Sequence, residues 1–291
     1  MPDEAKQLTS VADALRLARE KLKASGISQA SREAKSLLAF VLRKNQTFLI
    51  AHSEYELSAA EEKQFQTVLE KRANREPFQY IVGRQEFCGL DFTVTKDVLI
   101  PRPETEMIVE AAIEILKPGA RFCEIGIGSG CIAVSILHER QTASAVGLDI
   151  SEEALKVAKK NAKTHRVFKR LELKISDVFD NLSDEKFDLI VSNPPYIPKE
   201  EMRNLQPEVV NFEPHAALTD GGNGFSIVEK IIRAAPKFLN EGGVLLMEIG
   251  FGQESEVRKM LDRKVWREVE ILPDLQKIPR MVKARKLRTE N

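Results

Sequence analysis

Two rhythms of apolar residues divide the chain near residue 77. Before it, apolar positions recur every three or four residues, the spacing of amphipathic helices. Val11, Leu15, Ala18 and Leu22 form one stripe behind Ser10, and Gly26 ends that segment. Leu37, Leu38, Val41 and Leu42 form a second, from about Ser31. Phe65, Val68 and Leu69 form a third, opened by Ser58-Ala-Ala-Glu61, a capping-box spacing that satisfies free N–H groups at a helix start. A helical bundle over residues 1–76 is expected, without catalytic constellation and suited to packing or partner docking. In "FQYIVGRQEFCGLDFTVTKDVLI" the rhythm changes to β-branched and aromatic residues broken by Gly83 and Gly89, which predicts a β-hairpin linker over 77–100.

Over 101–291 short apolar runs alternate with amphipathic ones. The runs are "RFCEIGI", "SAVGLDI", "LELKISD", "FDLIVSN", "GVLLMEIG", "VWREVEIL" and "RMVKARK". The segments between them include "CIAVSILHER", "SEEALKVAKKNAKTH" and "SIVEKIIRAAPKFL". This alternation predicts an α/β fold with a mostly parallel, doubly wound, seven-stranded sheet. Ligands of such sheets bind beyond the carboxyl ends of the strands. The loops after "EIGI", "LDI", "ISD" and "VSN" are therefore the places to look for chemistry.

Composition narrows the field. Lys plus Arg and Asp plus Glu number 44 each, so net charge is zero and bulk electrostatic binding of nucleic acid is disfavoured. Only "RMVKARKLRTEN" is notably basic, as a solvated final strand and tail would be. Cys88, Cys123 and Cys131 lack CxxC spacing and the four histidines are scattered, so neither a disulfide framework nor a metal site is expected. The start "MPDEAKQLTS" lacks the apolar core of a secretory signal. No window approaches the roughly 18 apolar residues of a membrane span. A cytoplasmic protein is expected.

The loop "EIGIGSG" carries Gly126, Gly128 and Gly130 behind Glu124, with Ile127 and Ser129 between them. Glycines let the backbone turn sharply and approach a ligand, and the following helix start offers free N–H groups. A dinucleotide fingerprint would need glycine at 131, where Cys131 stands. The spacing instead resembles that of class I S-adenosylmethionine-dependent methyltransferases, which are Rossmann-like. Asp149, at the end of the second strand, can accept from both hydroxyls of a ribose. Asp177, at the end of the third, is placed for an adenine amino group, though a solvated strand end explains it equally well.

The fourth strand ends in Asn193-Pro194-Pro195-Tyr196. An amide or exocyclic amino nitrogen is a poor nucleophile, because its lone pair is delocalised. The Asn193 side-chain oxygen and a backbone carbonyl of the Pro-Pro pair can grip both N–H bonds and aim the lone pair. Proline's fixed φ holds that carbonyl in place at little entropic cost. Tyr196 suits recognition of a planar group or ordinary packing equally.

"LIPRPETE", "EIGIGSG", "DISEEAL", "FDLIVSNPPYI", "FEPHAAL", "GGNGF" and "MEIGFGQ" together resemble the HemK/PrmC family of protein-(glutamine-N5) methyltransferases, from about Arg75 to Gln253. The resemblance implies methylation of the glutamine in the Gly-Gly-Gln loop of class I peptide-chain release factors, with S-adenosylmethionine as donor. It implies that Gly126–Gly130, Asp149 and Asn193 meet the cofactor and that Asn193–Tyr196 hold the glutamine. Where relatives often carry an aromatic after the third-strand acid, this chain has Val178, with Phe179 beside it as a substitute against adenine. "PDLQKIPRMV" lacks the glycine and acid that many relatives place before the arginine. A ribosomal-protein glutamine methyltransferase and an NPPY-type nucleic-acid amino-methyltransferase are the competing readings. Neither a membrane nor direct nucleic-acid contact is expected.

Overall fold

Side-chain caps set where the first helices begin. The computed structural model describes residues 9–288, so the first eight positions and the last three of the basic C-terminal segment lie outside the described residues. Ser10 Oγ accepts from the Asp13 N–H at 3.1 Å and opens α1 (Val11–Ala24). After α2 (Ala30–Leu42), Asn45 caps a short α3 (Gln46–Ala51) that the apolar rhythm did not announce. Ser58 and Glu61 make the reciprocal capping box of α4 (Ala59–Ala73). The stripes meet in one core that holds Leu22, Leu37, Leu38, Leu57 and Phe65.

Residues 78–82 were expected to belong to a hairpin and instead form a one-turn helix, α5 (Phe78–Val82). Pro77 presets its first turn, and Gly83, at φ +74°, ends it in the left-handed conformation. The hairpin itself is β1 (Arg84–Phe87) paired with β2 (Leu90–Thr93), turned by Cys88 and Gly89 at φ +49° and +74°. Its Phe87 and Phe92 are buried in the core of the sheet-containing unit, so it is part of that unit rather than a free linker.

The chain forms two compact units. Among the described residues, one comprises 9–83 together with Pro207–Phe212 and the other comprises 84–206 and 213–288. In the second, β1 and β2 are followed by α6 (Glu106–Ile115), β3 (Arg121–Ile125), α7 (Cys131–Glu139), β4 (Ser144–Asp149), α8 (Glu152–Thr164), β5 (Leu171–Ile175) and β6 (Phe187–Ser192). The chain then enters the first unit as α9 (Pro207–Phe212). It returns for α10 (Ser226–Phe238), β7 (Leu239–Glu248), α11 (Glu254–Met260), β8 (Trp266–Pro273) and β9 (Pro279–Lys286).

The seven-stranded sheet has the order β5-β4-β3-β6-β7-β9-β8; its first five strands are parallel, and β9 runs antiparallel to both neighbours. Alternate strand residues point to opposite faces. Phe122, Ala145, Leu189 and Leu246 pack into one core with α6, α7 and α8. Cys123, Val146, Ile190 and Leu245 pack into the other with α10 and α11. Strand order reverses direction between β3 and β6, which is where open sheets of this kind form a ligand crevice. Ile125 pairs with Ser192, so Gly126 and Asn193 leave the sheet side by side.

Candidate active site

The glycines after β3 are used for their backbone freedom. Gly126, Gly128 and Gly130 have φ of +69°, +53° and +79°, and a Cβ at Gly130 would lie 3.3 Å from Ala158 Cα. Asp149, at the end of β4, ties this loop down. Its Oδ2 accepts from the Gly128 N–H at 2.8 Å, and its Oδ1 accepts from the Ser151 N–H at 2.9 Å. Burial pushes the Asp149 carboxyl up, and the N–H groups of Ser151, Gly128 and Ile150 oppose that shift. Each oxygen keeps a further lone pair for a hydroxyl donor. Glu124 is buried behind the loop, where its Oε2 accepts from the Ala133 N–H at 2.8 Å; burial pushes its carboxyl well up.

A cavity of about 420 Å³ opens at the carboxyl ends of β3, β4 and β6. Of the residues singled out from the sequence, Gly126, Ile127, Gly128, Ser129, Asp149, Asp177, Val178, Asn193, Pro194 and Pro195 line it, whereas Gly130 and Tyr196 do not. Gly130 is the N-cap of α7. Asp177 reaches the cavity while pairing with Lys230 Nζ at 2.9 Å. Phe179 is unavailable as the adenine platform, because its ring is buried and stacked on Phe238 at 4.7 Å.

The Asn-Pro-Pro-Tyr segment is held from behind. Asn193 Nδ2 donates to Thr105 Oγ1 at 3.1 Å, and Thr105 Oγ1 donates to Glu248 Oε2 at 2.6 Å. Tyr196 packs its ring against the core and donates its hydroxyl to Glu248 Oε1 at 2.8 Å. Burial first, and then the Glu248 charge, push the phenol well above its ordinary range. Tyr196 is thus turned toward the packing side of the two roles open to it. Its carbonyl is occupied as well, accepting from Gln253 Nε2 at 3.0 Å. Gly224 lies so close that a Cβ there would come within 2.2 Å of that oxygen.

Comparison with known proteins agrees along both units. Residues 13–83 match the family described as PrmC N-terminal domain, and residues 116–270 match the methyltransferase domain family. A release factor glutamine methyltransferase of Cereibacter sphaeroides is 44% identical over 94% of this chain and 98% of its own length. The chain belongs to the release factor glutamine methyltransferase family. Another member, from Geobacter sulfurreducens, is 43% identical over 82% of this chain and 83% of its own. Among solved structures, the catalytic domain of hMettl16 superposes with a TM-score of 0.57 at 17% identity, covering 77% of this chain and 83% of that one. That likeness is one of fold. The class I methyltransferase fold and the family resemblance read from "EIGIGSG" and "NPPY" therefore hold.

Several residues that brace this region lie in segments noted in the sequence, though those segments do not show how the residues pair. Thr105 lies in the noted "PRPETE" segment, but its partner Glu248 is 143 positions away. The available signal was a carboxylate ending the apolar run "VLLME". Glu213, buried, accepts from the Ile100 N–H at 3.2 Å and from Arg102 Nη2 at 2.6 Å, which secures the loop leading into Thr105. Asp220 accepts from the N–H groups of Gly222, Gly224 and Ser226 and from the Ser226 hydroxyl, holding the "GGNG" turn. Burial raises its carboxyl, but these donors, led by Ser226, outweigh that and bring it down to about 2.

Proposed function

We propose that the chain transfers the methyl group of S-adenosylmethionine to the side-chain amide N5 of the glutamine in the Gly-Gly-Gln loop of class I peptide-chain release factors. The observation that carries this reading is Asn193. It stands on the wall of the cavity, beside the glycine loop, with its Nδ2 engaged by Thr105. The donor set suits the cofactor. Ligand cavities span roughly 300–1,000 Å³, and this one holds about 420 Å³. Asp149 would take the ribose hydroxyls, the backbone from Gly126 to Ser129 would border the donor, and Asp177 and Val178 would face the adenine end.

Bound S-adenosylmethionine supplies an electrophilic methyl group. The chain's own residues prepare the amide. Asn193 Oδ1 accepts one N–H of the glutamine, and a carbonyl of the Pro194-Pro195 pair accepts the other. The Tyr196 carbonyl is already engaged by Gln253, which leaves the proline carbonyls for that task. Gripping both N–H bonds turns the nitrogen lone pair toward the methyl and favours its pyramidal form. The methylated amide, cationic until it loses a proton, is acidic enough to need no tuned base.

The helical unit is the proposed docking surface for the release factor, since it has a buried core of its own and no catalytic cluster among the described residues. Among the described residues no helix is long and apolar enough to cross a membrane. The cytoplasm, where translation terminates, is the proposed place of action. Incubation with S-adenosylmethionine and a class I release factor, followed by mass spectrometry of the Gly-Gly-Gln peptide, should show one added methyl on the glutamine. Methyl transfer to a ribosomal protein or to nucleic acid, with the release factor unmodified, would overturn the assignment.

A further inference from the structure

We infer that Thr105 and Glu248 are positioning residues that decide which end of the Asn193 amide faces the substrate. The inference rests on the reading of Asn193 as an acceptor for the glutamine N–H. The reasoning follows the direction of the hydrogen bonds. A carboxylate can only accept. Glu248 is 2% exposed at the end of β7, and both its oxygens are taken by hydroxyl donors, Thr105 at 2.6 Å and Tyr196 at 2.8 Å. Burial, with the nearby charge of Glu104, raises this carboxyl on balance, against the two hydroxyls and the charge of Arg280.

With its single proton committed to Glu248, the Thr105 hydroxyl can only accept from its other neighbour. That neighbour is the Asn193 amide at 3.1 Å, which must therefore present its NH₂ end. The oxygen end is then left for the cavity. Turning the amide over would set Asn193 Oδ1 against the lone pairs of Thr105. It would also aim an N–H at the N–H bonds of the incoming glutamine. Two donors facing one another cannot grip the substrate, so a chain of two hydrogen bonds from a buried carboxylate sets the polarity of the claw. Thr105, itself 2% exposed, is the relay.

The test compares Thr105→Val, which keeps the shape and removes the hydroxyl, with Thr105→Ser, which restores it. Release-factor methylation is followed by mass spectrometry under saturating substrate, with S-adenosylmethionine affinity measured by calorimetry. Thr105→Val should lower kcat about tenfold, the loss of one directed hydrogen bond, with cofactor Kd and release-factor KM within about threefold. Thr105→Ser should recover kcat to within about threefold of the parent protein. Because Thr105 acts through Asn193, adding Thr105→Val to Asn193→Ala should change the residual rate by less than about twofold.

Parent-like kcat in Thr105→Val, equal losses in the serine and valine variants, or a full tenfold loss on top of Asn193→Ala would each overturn the inference. Undiminished turnover in Asn193→Ala alone would instead overturn the underlying role of Asn193. Should the valine variant lose cofactor binding and fold, Thr105→Ala repeats the comparison without the added bulk.

Discussion

At the scale of single residues, function concentrates where a strand ends and a side chain is held by others. Asn193 is the clearest case. In the proposed mechanism, replacing it with alanine removes one directed acceptor, an interaction worth about 2.7–4 kcal/mol in a transition state, or roughly a hundredfold to a thousandfold in rate. S-adenosylmethionine affinity should stay within about tenfold of the parent, because Asp149 and the glycine loop are untouched; calorimetry beside a single-turnover assay checks both. Asp220 lines the cavity and also holds the "GGNG" turn. Its carboxyl lies at about 2 in the fold against an ordinary 3.8, so its contribution to stability is present above the unfolded value and fades as pH falls from about 4 to about 2. Asp220→Asn should therefore cost about 1 kcal/mol at pH 7, allowing for solvent screening, and the two proteins should converge near pH 2 in urea titrations.

At the scale of elements, close approach of backbone to backbone sets the tolerances. Gly224, at φ +82°, sits against the Tyr196 carbonyl with no space for a methyl group. Gly224→Ala should destabilise the fold by about 2 kcal/mol or more and lower methyl transfer by shifting the Asn-Pro-Pro-Tyr turn. Thermal unfolding and the release-factor assay measure the two effects. The strands and the long helices were legible in the sequence, because alternation and i, i+3, i+4 spacing are local properties. The adjacency of the glycine loop and Asn193 was legible too, through the rule that ligands gather beyond strand ends. Helix α5 was missed because "FQYIV" has strand-like composition, and Pro77 and Gly83 override it. The tie from Thr105 to Glu248 and the tie from Arg102 to Glu213 were not legible. Each joins residues more than a hundred positions apart, and only the folded chain brings them together. Phe179 shows the reverse error: adjacency in sequence suggested a cofactor contact that its orientation into the core precludes.

At the scale of the whole molecule, one ion-pair cluster completes the helical unit. Arg72, with a side chain 6% exposed, pairs with Glu33 on α2 and with Glu208 on α9, which also takes Arg75 at 2.8 Å. A buried guanidinium is costly unless its partners are present. Glu208→Ala should therefore destabilise this unit by about 2 kcal/mol, since Glu33 still partners Arg72. Chemical denaturation read by amide hydrogen exchange would localise that loss to α4 and α9. A loss spread evenly over the sheet would count against the assignment.

That same cluster has a consequence for biosynthesis. Arg75 and Glu208 are separated by 133 residues of chain. At about 5–20 residues per second of synthesis, the helices leave the ribosome on the order of ten seconds before the carboxylate that neutralises them. For that interval Arg72 has Glu33 but not Glu208, and Arg75 waits for the carboxylate it pairs with. The helical unit is finished only after those 133 further residues have been made.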